Sequence, residues 1–324
     1  MIYCIGHTII SPLGEGSQAN VEAVKAGRSG LRIYTDRFAD VEPFCASLFD
    51  TPQEFVPLCI RSIEGALDSC RSVMNSRLSD SETIFILSTT KGDNLDLLTP
   101  AKAIAAHFGN TNLPVVVSNA CTSGVCAQIT AKRLLEAGLY KYAVVVGCDI
   151  QTRFIVSGFQ SFKALSPEPC LPFSPDRKGL NLGEAAATII YSSELPADGS
   201  QPLWRLVSGA IHNDANHLSA PSRTGEGSYR CLQDVLAGIN PQDVSLLGVH
   251  GTATPYNDAM EQIAIERAGL QNAPLSALKP FFGHTMGAAG MVETIIGASM
   301  LEHGIFVKML SGFGGVNAAI RIEK

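Results

Sequence analysis

The sequence predicts an α/β protein built from two similar halves, and three observations carry that reading. Short apolar runs of strand character alternate with stretches of helical spacing. Two of the runs are too rich in valine to be strands with one wet face. A strand–turn–helix–strand pattern also occurs twice, around residue 121 and again around residue 284.

In chain order, residues 2–5 and 83–87 are the first strands, and 114–118 and 142–147 read as strands buried on both faces. Between the last two, residues 122–137 have helical spacing at Ala127, Leu134 and Leu135, and Gly138 stands where that helix ends. Strand, tight turn, helix and strand make a parallel crossover. The loop-like stretch 192–202 joins the first half, 1–191, to the second, 203–324, and no flexible linker separates them, so one body is expected. In the second half, 245–249 and 275–278 are strands, 281–284 a turn, 285–302 a helix closed by Gly304, and 305–309 a strand. Gly124 follows Cys121 by the same three positions that separate Gly287 from His284, which aligns the two copies.

Composition narrows the function. A chain of 324 residues can bury a substantial core, and 46% hydrophobic with 17% charged residues is not the composition of a disordered protein. A net charge of −6 without a Lys/Arg run argues against a nucleic-acid partner. Residues 1–7 lack the features of a signal peptide, and the apolar runs 115–117 and 143–146 are far shorter than the roughly 20 residues of a membrane span. The expectation is a soluble, cytoplasmic protein. Nine scattered cysteines without a C-x-x-C pair read as buried thiols of a reducing compartment.

One cysteine has different surroundings. In Ser118-Asn119-Ala120-Cys121-Thr122-Ser123-Gly124 a strand turns into a helix through small residues, which presents the sulfur at a helix N-terminus. The unpaired N–H groups and dipole there favour thiolate and suit a developing oxyanion. A core thiol is the alternative, and nearby bases decide between the two. His250, in Val249-His250-Gly251-Thr252-Ala253-Thr254, and His284, in Gly283-His284-Thr285-Met286-Gly287, each follow a strand and sit among glycines. All three residues thus stand at strand C-terminal ends, where open α/β sheets bind ligands. Either histidine alone reads equally as a core residue or a helix cap. A metal site is the other use of the trio, but no ligands stand at i, i+3 or i+4 and no carboxylate accompanies them, so no metal is expected. The glycine-rich segment 283–290 lacks the ending of a phosphate loop, and no cofactor is expected. His7, His107, His212 and His303 have no comparable setting.

Further segments carry a resemblance through nearly the whole chain. Cys121 fits an A-C-x-x-G elbow, and Gly158-Phe159 with Ala164-Leu165-Ser166 an adjoining loop. Gly183-Glu184-Ala185 follows Phe173–Gly179 in a third pattern, and Asp214, His217, Pro221 and Gly225 make a fourth. His250, Gly251, Thr252, Thr254, Asp258 and Glu261 fit H-G-T-x-T-x-x-x-D-x-x-E. Lys279, His284 and Gly290 fit K-x-x-x-G-H-x-x-G-A-A-G, with Glu293 beyond, and Gly312-Phe313-Gly314-Gly315-Val316-Asn317-Ala318 fits G-F-G-G-T-N-A. In this order the segments resemble the β-ketoacyl-acyl-carrier-protein synthases, condensing enzymes of the thiolase superfamily.

The resemblance implies a thiolase-like fold of mixed sheets in α/β layers and a decarboxylative Claisen condensation. By that likeness Cys121 is the nucleophile and His250 and His284 stabilise the enolate. Lys279 holds the His284 region and pairs with Glu293. The N–H groups of Cys121 and Phe313 form the oxyanion hole, Phe313 gates the acyl pocket, Phe159 lines it, and Thr252 and Thr254 support the substrate loop. Arg177, Asp258 and Glu261 hold the fold. The implied partners are an acyl carrier protein, its phosphopantetheine-linked acyl and malonyl groups, and a second subunit across the 114–118 strand, in a homodimer or a heterodimer. The Cys-His-His set resembles the elongating class. Initiating synthases carry His and Asn, chain-length factors lack the cysteine, and thiolases use a second cysteine. Two alternatives remain: a non-catalytic partner subunit and a CoA-dependent thiolase-like acyltransferase. The short connection from His284 to Phe313, Gly183-Glu184-Ala185-Ala186-Ala187 in place of G-E-G-A-G, and Leu180-Asn181 depart from the family pattern. They fit a specialised polyketide- or polyene-type route at least as well as fatty-acid synthesis.

Overall fold

The computed structural model describes residues 1–195 and 201–324, so part of the junction expected at 192–202 lies outside the described residues. The strands of the first half and the segment after it are β1 (Ile2–Ser11), β2 (Gly14–Glu15), β3 (Arg32–Tyr34), β4 (Phe44–Ser47), β5 (Thr83–Ser88), β6 (Val115–Val117), β7 (Tyr142–Asp149), β8 (Leu182–Gly183) and β9 (Ala185–Ser192). Those that follow are β10 (Trp204–Asn213), β11 (Val244–Gly248), β12 (Leu275–Ser276), β13 (Ile305–Gly312) and β14 (Val316–Glu323).

The main sheet runs β12-β11-β13-β14-β10-β1-β9-β7-β5-β6, with β2 paired to β1. Read inward from either edge, the pattern is the same. Two parallel pairings, β6 with β5 and β5 with β7, lead to antiparallel β9 and β1. Likewise β12 with β11 and β11 with β13 lead to antiparallel β14 and β10. The two five-stranded sets meet where β1 pairs with β10. The repeat suspected from sequence is therefore a repeat of topology, in a mixed α/β fold.

The buried helices Ser123–Glu136 and Ala289–Met300 share one core with Ile84, Val145 and Ile189 of one set and Phe306, Leu310 and Ile320 of the other. Helix Phe55–Leu67 covers the opposite side of the first set, and Glu226–Val235 the opposite side of the second. Burying both faces explains the unbroken apolar runs of β7 and β9. The two central helices cross at Gly124 and Gly290, where a β-carbon on Gly290 would lie 2.5 Å from the Val125 nitrogen.

Several local expectations change. β6 is an edge strand whose Val115 and Val116 are only half buried, because in the isolated chain one side has no neighbour. Residues 281–284 are not a simple turn: Lys279–Phe282 is a one-turn helix, closed by Gly283 at φ 66°. The helix expected over 285–302 begins as a 3₁₀ turn, Met286–Ala288, and ends at Met300, so Gly304 belongs to the turn into β13. The two copies also align differently. Each central helix is preceded by a 3₁₀ turn that opens on a positive-φ residue, Ala120 at 47° and Met286 at 53°. The counterpart of Cys121 is therefore Gly287. His284 lies three residues upstream, on a segment that bridges to Leu182.

Candidate active site

Cys121 sits in the 3₁₀ turn Ala120–Thr122, between edge strand β6 and helix Ser123–Glu136. Local hydrogen bonds fasten the turn. Asn119 N–H donates to Ser123 Oγ at 2.8 Å, Ser123 Oγ donates to the Ala120 carbonyl at 2.6 Å, and Thr122 Oγ1 donates to the Asn119 carbonyl at 2.8 Å. Such bonds hold small polar residues at a helix entrance in the path that a buried elbow needs.

The environment of the sulfur differs from the sequence expectation. Burial pushes the Cys121 thiol up to about 11, although the Lys279 ammonium and the backbone N–H groups of Phe313 and Cys121 itself act the other way. Desolvation outweighs the helix terminus, and the resting group is a thiol. Alkylation of Cys121 by iodoacetamide should therefore accelerate about tenfold per pH unit from neutrality to about pH 10. A plateau reached near pH 7 would contradict this. The raised value also means that the thiol's contribution to stability is intact below the unfolded value of about 8.5 and fades as pH rises through about 11.

His284 faces the sulfur, with Nε2 2.9 Å from Cys121 Sγ. Its backbone is pinned by its N–H donating to the Asn181 carbonyl at 2.7 Å and its carbonyl accepting from Gly183 N–H at 3.0 Å. Asn181, a departure from the family pattern, thus has a local task. Its side chain also accepts from Cys170 N–H and donates to the Ser166 and Glu168 carbonyls. The Nδ1 of His284 is buried and has no hydrogen-bond partner among the described residues, so the sulfur is the ring's one hydrogen-bonding contact there.

His250 leaves the end of β11 with its ring edge-to-face against His284, centroids 5.4 Å apart. Lys279 Nζ lies 3.2 Å from His250 Nδ1 and 2.5 Å from its carbonyl oxygen. An ammonium has only donors, so Nδ1 accepts and the proton of the neutral ring sits on Nε2. Burial, then the charge of Lys279, holds both imidazoles well below their usual range, and Lys308 adds to the effect on each. Both rings are neutral at physiological pH.

Lys279 acts on His284 through its charge, while its hydrogen bonds go to His250 and Glu293. Lys279 opens the one-turn helix Lys279–Phe282, is fully buried, and directs its ammonium at His250 and, at 3.0 Å, at Glu293 Oε1. Glu293 also meets Lys308, 2.6 Å from Oε2. Burial alone would raise its carboxyl, but the two ammoniums override it and hold Glu293 below the usual carboxylate range. On the other flank Glu261 accepts the N–H groups of His250 and, at 2.8 Å, Gly251. Burial pushes Glu261 up to about 7 against those bonds.

Cys121, His250, His284, Thr252, Thr254, Phe159 and Phe313 all line one cavity of about 400 Å³. The Thr252 and Thr254 hydroxyls are 2.9 Å apart. The rings of Phe159 and Phe313 stack at 6.0 Å, and Phe162 meets Phe313 edge-on at 5.8 Å. Lys279 and Glu293 lie behind the wall. Asp258 braces the rim by accepting from Phe173 and Ala253 N–H, and Arg177 donates to the Ser174 carbonyl.

Sequence reasoning missed three contributors. Lys308 reads as an ordinary strand lysine. Asp149, at the end of β7, accepts from Thr89, Thr90 and the Gly287 N–H, tying the turn after His284 to the first half. His217 lies on the exposed rim of the cavity. Of these only His217 carried a signal, through its place in the fourth motif.

The nearest donor atoms of Cys121, His250 and His284 lie within 4.8 Å of one another, a spacing that a metal ion also accepts. Two ammoniums near the rings oppose a divalent cation there, and among the described residues no acidic ligand completes the set.

Two family models match the chain: β-ketoacyl synthase, N-terminal domain, over residues 80–196, and β-ketoacyl synthase, C-terminal domain, over 205–312. Together they cover more than half of it. The chain belongs to the β-ketoacyl synthase family. A 3-oxoacyl-[acyl-carrier-protein] synthase 2 from Rhizobium meliloti (strain 1021) is 34% identical over 204 residues, 58% of this chain and 48% of that protein. A Staphylococcus aureus protein of the same name is 31% identical over 196 residues, 56% of this chain and 49% of its own. This β-ketoacyl synthase spans about half the length of the curated relatives it matches. Among solved structures, a β-ketoacyl synthase from Burkholderia phymatum STM815 superposes with a TM-score of 0.91 at 20% identity, covering 100% of this chain and 99% of that one. A structure of a ketosynthase in complex with its chain length factor, from Xenorhabdus doucetiae, gives 0.87 at 24% identity, covering 99% and 97%. The fold is thus thiolase-like. No helix among the described residues of this β-ketoacyl synthase is long and apolar enough to cross a membrane.

Proposed function

We propose that the chain is an elongating β-ketoacyl-acyl-carrier-protein synthase in which Cys121 is the nucleophile and His250 and His284 stabilise the enolate. The observation that carries this reading is the convergence of one thiol and two neutral imidazoles, one ring 2.9 Å from the sulfur and the other fixed as the Nε2–H tautomer by Lys279.

In the first half-reaction the Cys121 thiol attacks a carrier-bound acyl thioester. Its proton passes to His284 Nε2 and on to the departing pantetheine thiolate. The thioester oxygen gathers charge beside the Cys121 and Phe313 N–H groups, which in the resting protein act on the sulfur itself. Once the sulfur is acylated it has no proton to donate. The unpartnered Nδ1 then lets His284 carry its proton on Nε2. Two Nε2–H donors face the second substrate. As malonyl carrier protein loses CO₂, they stabilise the enolate oxygen. The enolate carbon attacks the Cys121 thioester and expels the thiolate, which leaves a β-ketoacyl carrier two carbons longer.

Lys163 on the cavity rim offers positive charge to a phosphopantetheine phosphate, with Lys178 beside it paired to Glu168. The β6 edge, with Leu113 exposed two residues before it, supports pairing with a second copy or a sister chain. Nine free cysteines, all buried, support a reducing, cytoplasmic setting. The shortened connection between His284 and Phe313, where helix Ala289–Met300 passes almost directly into β13, supports a specialised polyketide- or polyene-type route alongside fatty-acid synthesis.

Incubation with an acyl carrier thioester, followed by digestion, should place the acyl mass on the peptide containing Cys121. Equal labelling by acyl-CoA without a malonyl requirement for turnover would favour the thiolase-like acyltransferase instead. Native mass spectrometry of the protein expressed alone should give twice the 34.3 kDa chain mass. A monomer without turnover would favour a subunit that needs a sister chain.

A further inference from the structure

Lys308 stands in the middle of β13 and is fully buried. Its ammonium lies 2.7 Å from the Val249 carbonyl, 3.3 Å from the Gly248 carbonyl and 2.6 Å from Glu293 Oε2. Lys279 takes the next carbonyl, that of His250, together with Glu293 Oε1. Three consecutive carbonyls at the end of β11 therefore accept from two buried ammoniums that share one carboxylate. The N–H groups of the same turn, His250 and Gly251, go to Glu261. The stem of Lys308 also packs so closely on Gly248 that a β-carbon there would sit 2.9 Å from its Cδ.

A buried lysine is costly unless its charge and all its donors are satisfied. Here the ammonium donates to two carbonyls of the strand that delivers His250, and its charge is balanced by an ion pair with the carboxylate that orients Lys279. We propose that Lys308 is a positioning residue: it clamps the carbonyls leading into the His250 turn and holds Glu293, so that Lys279 fixes which nitrogen of His250 carries the proton. The reaction it serves rests on the synthase reading above, but the positioning itself does not.

The charged and titratable groups around His250 are Lys279, Lys308, Glu293, Glu261, His284 and Cys121. Removing Lys308 subtracts one positive charge from this set and loosens the carbonyl clamp. The ring then protonates more easily, and its tautomer is less firmly set. In Lys308→Met, malonyl-carrier decarboxylation should fall about tenfold in kcat with KM little changed, and the acid limb of its pH profile should move toward neutrality.

Histidine-selective ¹⁵N NMR gives a readout independent of turnover, because the chain has 7 histidines and His250→Gln assigns the signal. In the full wild-type chain, His250 should remain the neutral Nε2–H form from about pH 5 to 8. In Lys308→Met it should titrate within that range or show both tautomers. Should the single variant fail to fold, Lys308→Met/Glu293→Gln removes both ends of the ion pair and should melt higher than the single variant, with the His250 signal still altered. His250 signals that superimpose on wild type at every pH, in whichever variant folds, would overturn the proposal. A wild-type protein without decarboxylase activity would instead end the synthase reading, and the NMR comparison would still decide the role of Lys308.

Discussion

Cys121→Ala should abolish acyl transfer from the carrier thioester while malonyl decarboxylation continues. On the proposed mechanism the sulfur forms the covalent bond, and among the described residues no other cysteine lines the cavity. The two imidazoles stay in place without it. His250 is held by Lys279 and Glu261, and His284 by backbone bonds to Asn181 and Gly183. Acyl labelling should drop below detection, a loss of at least about 10³-fold. CO₂ release from malonyl carrier protein should stay within about tenfold of wild type. Persistence of label on a Cys121→Ala protein would remove Cys121 from the mechanism. Loss of both activities in a protein that still folds would show that the imidazoles depend on the sulfur for their arrangement.

His250→Ala should separate the half-reactions in the opposite sense. His250 lies beside His284, but its own ties run to Lys279 and Glu261 and not to the sulfur, whereas His284 Nε2 touches Sγ directly. Loss of His250 should leave acylation of Cys121 within about fivefold of wild type and cut decarboxylation by about 10²- to 10³-fold, the size associated with one missing oxyanion donor. His284→Ala, by contrast, should slow both steps, because a thiol pushed up to about 11 needs a base in contact with it. Single-turnover acylation, followed separately from CO₂ release, distinguishes these outcomes. Equal losses from His250→Ala in both steps would contradict the division of labour between the rings.

Much of this site was legible because short motifs are local. A glycine-flanked histidine after a strand and a cysteine between small residues at a helix entrance are recognisable from their neighbours. The structure brings Cys121, His250 and His284 to one cavity, with Phe159 and Phe313 stacked beside them. The alternating strand and helix runs also disclosed the mixed α/β repeat, since periodicity in the sequence records which faces are buried. Spacing could not disclose the register of that repeat. The three-residue match between Cys121–Gly124 and His284–Gly287 ignores the one-turn helix Lys279–Phe282, and the packed glycines are Gly124 and Gly290. Nor did valine content reveal that β6 is an edge, because composition does not say what lies beside a strand.

The amino-acid order by itself disclosed the alternation of strands and helices, the elbow that carries Cys121, and the family motifs around His250 and His284, because these follow from neighbours a few positions apart. Only the tertiary structure decided the electrostatics. Lys279, Lys308 and Glu293 come from three separate segments and meet behind His250, out of water, where each charge is tolerated only through the others. The same burial makes Cys121 a resting thiol despite its place at a helix N-terminus. Desolvation depends on every segment packed around an atom, and that quantity is written in the fold and not in any short stretch of sequence.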